Sequence, residues 1–321
     1  MNSSKAFLLL ILSLFVNIGF AAENSDEYLN AGISKFNQKD YSNAIIDFDK
    51  AISNDENSYE SYYWRAESRI KNEDYDNALI DINKSIKLNP NFARSYTCRS
   101  GIYIDKEKLA DALTDANKAI EINPQLDSAY RNRALIFIEQ KKYDLAIKDI
   151  NTALALNPSF DNLYLLAYYK HSIKDFIGVI AAADKILSQN STERGAYLVK
   201  IEAYNKLNDF KKISETSEVA LKNNPAINKN PSFLYYRTIA FLNTGKTKLA
   251  AKEIETAISL NPNNAEYYRV RGEIEASCYK TSKAKADFDR AKALYLKAGD
   301  NEGYLEVVKT QEEPQKMKIN H

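Results

Sequence analysis

Apolar residues recur along this chain at helical spacing, and small apolar residues recur at a longer one. Between Ala93 and Pro124, Tyr96, Tyr103, Ala112, Ala116 and Ala119 can all lie on the inner faces of two successive helices, with polar residues filling the intervals. The longer period is 34 residues. Ala44, Ala78, Ala112 and Ala146 keep it, as do Asp47, Asp81, Asp115 and Asp149, and so do Asn89-Pro90, Asn123-Pro124 and Asn157-Pro158. Ala250 and Ala284 repeat the interval further on. Three columns locked to one period predict a repeated helix–turn–helix unit. Asn-Pro closes each unit, because the residue before proline disfavours the α region and proline cannot continue the hydrogen-bond ladder.

These columns resemble the tetratricopeptide repeat family, and the resemblance covers nearly all of the chain after its first residues. It implies units at 25–58, 59–92, 93–126, 127–160, 161–193, 194–227, 231–264 and 265–298. The implied fold is all-α: a right-handed α-α superhelix of about eight helix-turn-helix repeats with a C-terminal capping helix. Units 1–4 (25–160) are regular, units 5–6 (161–227) irregular and units 7–8 (231–298) regular again, with the capping helix and tail over 299–321. In the last segment Tyr304, Leu305, Val307 and Val308 suit one face of a short helix that Pro314 would close, leaving Gln315 to His321 loose.

One column is ionic. Position seven of a unit is arginine at Arg65, Arg99, Arg133, Arg237 and Arg271, and position twenty-three of the same units is acidic at Asp81, Asp115, Asp149, Glu253 and Asp287. The coincidence predicts an arginine–carboxylate tie between the two helices of a unit. The first unit has Ala31 at position seven, so Asp47 is expected to reach Arg65 of the next. Units 5 and 6 carry Ala167 and Lys200 there. Unit 5 is one residue short, holds Gly178 in its second helix, and has the Ser188–Thr192 polar run in place of its closing proline. Unit 6 is followed by the insertion Asn228-Lys229-Asn230. Both features predict a local loss of regularity and a change of path.

The first 22 residues are a separate object. Lys5 precedes an apolar stretch from Ala6 to Ile18, and Gly19-Phe20-Ala21 places small residues at the −3 and −1 positions of a cleavage site after Ala21. This is the pattern of a secretory signal peptide, and the stretch is shorter than the ~20 residues of a membrane span. The expected location is therefore outside the cytoplasm. It is periplasmic if the source is Gram-negative, with release to the medium as the alternative; an uncleaved leader would leave the chain as a membrane anchor. The two cysteines, Cys98 and Cys278, stand five units apart, too far to pair within one array, and read as buried small apolar residues.

Charge and chemistry narrow the function. Lys+Arg (44) and Asp+Glu (43) nearly cancel and no basic run stands out, which argues against a nucleic-acid partner. The two histidines, His171 and His321, are not in a metal-ligand spacing, and no phosphate loop or nucleophile motif occurs, so no metal, no cofactor and no catalytic residue are expected. What remains is a binding scaffold whose partner is a protein or peptide; an enzyme built on a helical array is the less favoured reading. Positions five, nine and twelve lie roughly 80–140° around the first helix from its core stripe. In the family this chain resembles, those positions line a concave groove. Here they give Tyr63, Glu67, Thr97, Arg131, Leu135, Leu165, Tyr169, Leu198, Glu202, Tyr235, Arg269 and Glu273. Tyr63, Arg131, Tyr169 and Tyr235 are the expected anchors, on a face where truncation spares the core. No unit pairs lysine at position five with asparagine at position nine, which argues against recognition of chaperone C-terminal tails. Partners in envelope assembly, secretion or cell-wall machinery fit an exported scaffold; a host protein bound by a secreted effector is the alternative.

Overall fold

The computed structural model describes residues 25–278 and 280–312. The expected leader, with the cleavage site predicted after Ala21, and the predicted Pro314 stop with the tail to His321 lie outside the described residues. Those described are all α, with no strand. Helices α1 (25–37) and α2 (Tyr41–Asn54) form the first pair. The pairs α3 (Tyr59–Lys71) and α4 (Tyr75–Leu88), α5 (Ala93–Asp105) and α6 (Leu109–Ile122), and α7 (Asp127–Glu139) and α8 (Tyr143–Leu156) follow. Next come α9 (Phe160–Ser172) and α10 (Phe176–Gln189), then α11 (Arg194–Lys206) and α12 (Phe210–Asn223), then a 3₁₀ turn at Pro225–Lys229. The last pairs are α13 (Pro231–Asn243) with α14 (Thr247–Leu260) and α15 (Ala265–Ser277) with α16 (Thr281–Ala298), closed by α17 (Asn301–Glu312). The chain divides into two compact units that part between Asn162 and Leu163.

Each pair is made by the same local chemistry. The residue that turns the first helix into the second has positive φ at Lys39, Glu73, Glu107, Lys141, Lys174, Asn208 and Gly245. The next residue is the N-cap of the second helix. Asp40, Asp74, Asp175 and Asp209 fill it and accept a backbone N–H three residues on. Gly178 supplies that N–H in α10, so it sits in the first turn, where it costs little, and not in the helix interior. At the far end, Asn89, Asn123, Asn157, Asn190, Asn224 and Asn261 all leave the helix while their own N–H still bonds back four residues. Asn190 has no proline after it, and Asp55 closes α2 in the same way. Their side-chain oxygens accept the N–H two residues on in the Asp55, Asn89, Asn123 and Asn190 turns. The stop therefore rests on Asn or Asp, and proline only reinforces it.

The alanine column is the contact between paired helices: Ala44, Ala78, Ala112, Ala146 and Ala250 are fully buried. Val179 and Ile213 take that place in the fifth and sixth pairs. The insertion after α12 is not a loss of packing. Ile227 of the 3₁₀ turn is fully buried among Tyr197, Ile201, Ile213 and Phe233.

The ionic column forms as expected within units. Arg65, Arg99, Arg133 and Arg271 each grip both carboxylate oxygens of the aspartate 16 residues on, at 2.6–2.9 Å. Arg237 reaches Glu253 at 3.2 Å. Three of these arginines also reach backwards to the preceding pair. Arg65 meets Asp49 at 2.5 Å, Arg99 meets Asn83 at 2.7 Å and Arg133 meets Asn117 at 2.9 Å. Lys200 keeps the backward half alone, with Asp184 at 2.6 Å. Asp47 does not reach Arg65, which is committed to Asp81 and Asp49; Lys35 of its own pair takes it, at 2.5 Å.

One register differs from the sequence reading. The missing residue lies in the three-residue link Asn157-Pro158-Ser159 before α9, not inside the fifth unit, so that unit starts at Phe160. Every position in α9 moves by one. Cys278 also differs: Cys98 is buried, but Cys278 ends α15 and is exposed.

Candidate partner-binding site

Within the first compact unit, the first helices of three successive pairs stand side by side in register. Asn132 Nδ2 on α7 donates to the Thr97 carbonyl on α5 at 2.9 Å, linking position six of one helix to position five of its neighbour. Between α3, α5 and α7 lies an open cavity of about 450 Å³. Four of the sequence-predicted residues line it: Tyr63, Glu67, Thr97 and Arg131. Arg94, Asp105 and Asn132 line it too, at positions two, thirteen and six, which the positions taken from the resemblance did not include.

The cavity carries uneven charge. The Tyr63 hydroxyl and the Cys98 thiol both stand close to Glu67. Burial, and then the Glu67 carboxylate, push both groups well above their usual ranges, so both stay protonated donors. Arg131 meets the Asn162 side-chain oxygen at 3.3 Å and stands 3.7 Å from both Asp127 and Asp161. Asn162 is itself fully buried and donates to Asp127 at 2.9 Å and to the Asn157 carbonyl at 2.8 Å, fixing that wall.

The remaining predicted residues are elsewhere. Leu135 is half-buried on α7 and does not line the cavity. Because of the register shift, Leu165 and Tyr169 fall at positions six and ten, on the core side, where they are 7% and 8% exposed. Tyr164 and Tyr168 hold positions five and nine instead: Tyr164 donates to Glu193 at 3.2 Å and Tyr168 is exposed. Tyr63 and Thr97 are each only 9% exposed, so the expectation that truncation there spares the core is corrected for Tyr63. Its ring packs edge-on against Trp64 and Phe92.

In the second unit, Leu198 packs half-buried against the Tyr197–Ile227 cluster. Glu202 stands 3.9 Å from His171. Tyr235, Arg269 and Glu273 are engaged with one another's partners. Tyr235 and Tyr295 each donate a hydroxyl to Glu266, at 2.9 and 2.8 Å, and Arg269 Nε donates to it at 2.8 Å. Arg269 also ion-pairs with Glu273. Burial opposes the charge of Glu266, yet Arg269 and the two hydroxyls hold its carboxyl below the usual range. Burial raises Glu273 despite Arg269 beside it. This is a closed network with its hydrogen bonds already made.

Comparison with known proteins agrees with this geometry. Residues 26–58, 59–92 and 128–160 match tetratricopeptide repeat models. No curated relative matches the sequence. A thermophilic protein of this repeat class from Thermus thermophilus superposes with a TM-score of 0.52 at 21% identity, over 56% of this chain and 98% of its own. PilW, described as a type IV pilus biogenesis factor, gives 0.56 at 16% identity, over 62% of this chain and 93% of its own. Yeast Tom70 gives 0.56 at 18% identity, over 91% of this chain and 64% of its own. At these identities the likeness is one of fold. The protein is an α-helical repeat array of stacked helix pairs, the architecture of an interaction scaffold. Three of its helix pairs are tetratricopeptide repeats.

Proposed function

We propose that the protein is an exported, non-catalytic scaffold that holds a protein or peptide partner against the first-helix face of its N-terminal unit. The cavity between α3, α5 and α7 carries this reading: it is open, about 450 Å³, and lined by side chains of both signs together with Tyr63 and aliphatic residues. The location follows from the leader pattern of residues 1–22, which directs the chain across a membrane. A periplasmic scaffold in envelope assembly, secretion or cell-wall machinery combines these two features. The fold shared with a pilus biogenesis factor is consistent with that role. Neither a nucleic acid nor a metal is needed by the reading. A photo-crosslinking residue at Arg131, on the cavity wall, should give a discrete adduct in cells. The same probe at Lys148, exposed on α8, should not. Equal labelling at the two positions, or none at Arg131, would count against the assignment.

A further inference from the structure

The ionic groups that the repeat turns towards its helix contacts are paired. The position-seven arginines hold aspartates, and Arg269 holds Glu266 and Glu273. The cavity of the first unit holds charges that are not paired in this way. Glu67 lines it, half-buried beside Tyr63 and Cys98, and no lysine or arginine among the described residues forms an ion pair with it. Arg94 lines the same cavity, exposed, with no carboxylate ion-paired to it among the described residues. Asp105 is likewise exposed and unpaired among them.

These charges are ordered along the helices. α3, α5 and α7 run in the same direction, so position in the unit measures distance along the cavity. Arg94 is in the first turn of α5; Arg131, in the second turn of α7, is offset by Asp127, which lines the same end 3.7 Å from it, so the free positive charge there is that of Arg94. Glu67 is two turns further on in α3 than the Arg94 level, and Asp105 is the last residue of α5. The helix dipoles add to the same gradient, positive at the N-terminal end and negative at the C-terminal end. With a rise of 1.5 Å per residue, the Arg94 and Glu67 levels are about 10 Å apart. An extended chain covers that distance in about three residues.

Resting on the groove reading above, we infer that this cavity takes a bipolar peptide segment: a lysine or arginine seated on Glu67 and an aspartate or glutamate, about three residues away, seated on Arg94. Charge complementarity fixes the direction of the bound segment as well as its composition, because the reversed segment sets like charges together. The Glu67 carboxylate stands on the cavity wall without a cation, and an incoming ammonium or guanidinium satisfies its lone pairs. A segment of one sign satisfies only one end.

Selection of displayed random short peptides on the full chain tests this. The enriched peptides should carry a basic and an acidic residue at a fixed spacing. A synthetic copy of one should lose about tenfold in affinity for Glu67→Gln and for Arg94→Gln, the loss of one charge-assisted hydrogen bond. Replacing the peptide's basic residue by methionine should cost wild type about as much and cost Glu67→Gln nothing further. Lys148→Ala should bind as wild type, and unchanged urea midpoints should show all variants folded. Enriched peptides of a single sign, or ones that bind both cavity variants normally, would overturn the bipolar assignment and leave the scaffold reading standing. Absence of any enrichment would overturn both.

Discussion

At the residue scale, the turn between paired helices is built less well than the chain itself shows to be feasible. Lys141 has φ 58°, a left-handed conformation that costs ~1–2 kcal/mol for a residue with a side chain. Gly245 holds the same position in another pair without that cost. The neighbouring N-cap, Lys142, makes no side-chain bond, whereas Asp40, Asp74, Asp175 and Asp209 do at that position. Lys141→Gly and Lys142→Asp should therefore each stabilise the protein by about 1 kcal/mol, read as a raised urea midpoint at constant slope. The arginine column gives a second prediction. Asp115 is 6% exposed in its side chain and Arg99 21%, so losing one partner strands a charge in a poorly solvated place. Arg99→Ala and Asp115→Ala should each cost more than the double variant costs beyond either, giving a coupling energy of about 1–3 kcal/mol. A cycle that closes additively would demote the pair to decoration. The within-unit pairing was legible because both members keep the repeat spacing. The backward reach to Asp49, Asn83 and Asn117 was not, because it depends on how neighbouring pairs stack and its acceptor changes type.

At the scale of elements, helix boundaries and pairing were legible from the 34-residue period, and the failures have one cause. Counting units from the proline assumes a constant link, but the link before α9 is a residue short, and α9 lacks the arginine that would have betrayed the shift. The next left-handed residue, Lys174, lies 33 residues after Lys141 and 34 before Asn208, which puts the short count between Lys141 and Lys174. That one-residue error turned two core side chains, Leu165 and Tyr169, into apparent groove residues. The end of the array was read more securely, except that Leu305, expected on the packing face of α17, is exposed. Gly299, with φ 72°, stops α16, and Asp300 caps α17 by accepting the Gly303 N–H at 2.8 Å. Val307 of α17 is fully buried against Ala284, Phe288 and Ala291. Those residues would otherwise face water, so α17 seals the last pair. Val307→Asp should lower stability by at least ~2 kcal/mol, since it buries a carboxylate without a partner. Leu305→Asp, on a side chain 54% exposed, should change it by less than ~0.5 kcal/mol. Comparable urea midpoints for the two variants would mean that α17 does not seal the array.

At the scale of the whole molecule, charge and location decide what kind of partner is available. Lys5 is the one charged residue of the leader, so removing residues 1–21 leaves acidic and basic side chains in equal number. A chain so balanced has little long-range field with which to gather a polyanion, and its recognition must come from local arrangements such as the Glu67–Arg94 cavity. Which partners it meets depends on whether the leader is cut. The apolar stretch from Ala6 to Ile18 is long enough for the hydrophobic region of a signal peptide and short for a span, and Gly19 and Ala21 offer the peptidase the small side chains it accepts. Ser25, the first described residue, already donates its hydroxyl to the Ala51 carbonyl at 3.0 Å, and a cut after Ala21 falls before it. Expression in a Gram-negative host should give a periplasmic protein, released by osmotic shock, whose intact mass corresponds to a chain starting at Ala22. Ala21→Tyr should block processing and leave the full-length chain in the membrane fraction, with the array itself unchanged by circular dichroism. Wild-type protein recovered from the shock fluid with Met1 still attached, or retained in the cytoplasm, would remove the basis for an envelope partner.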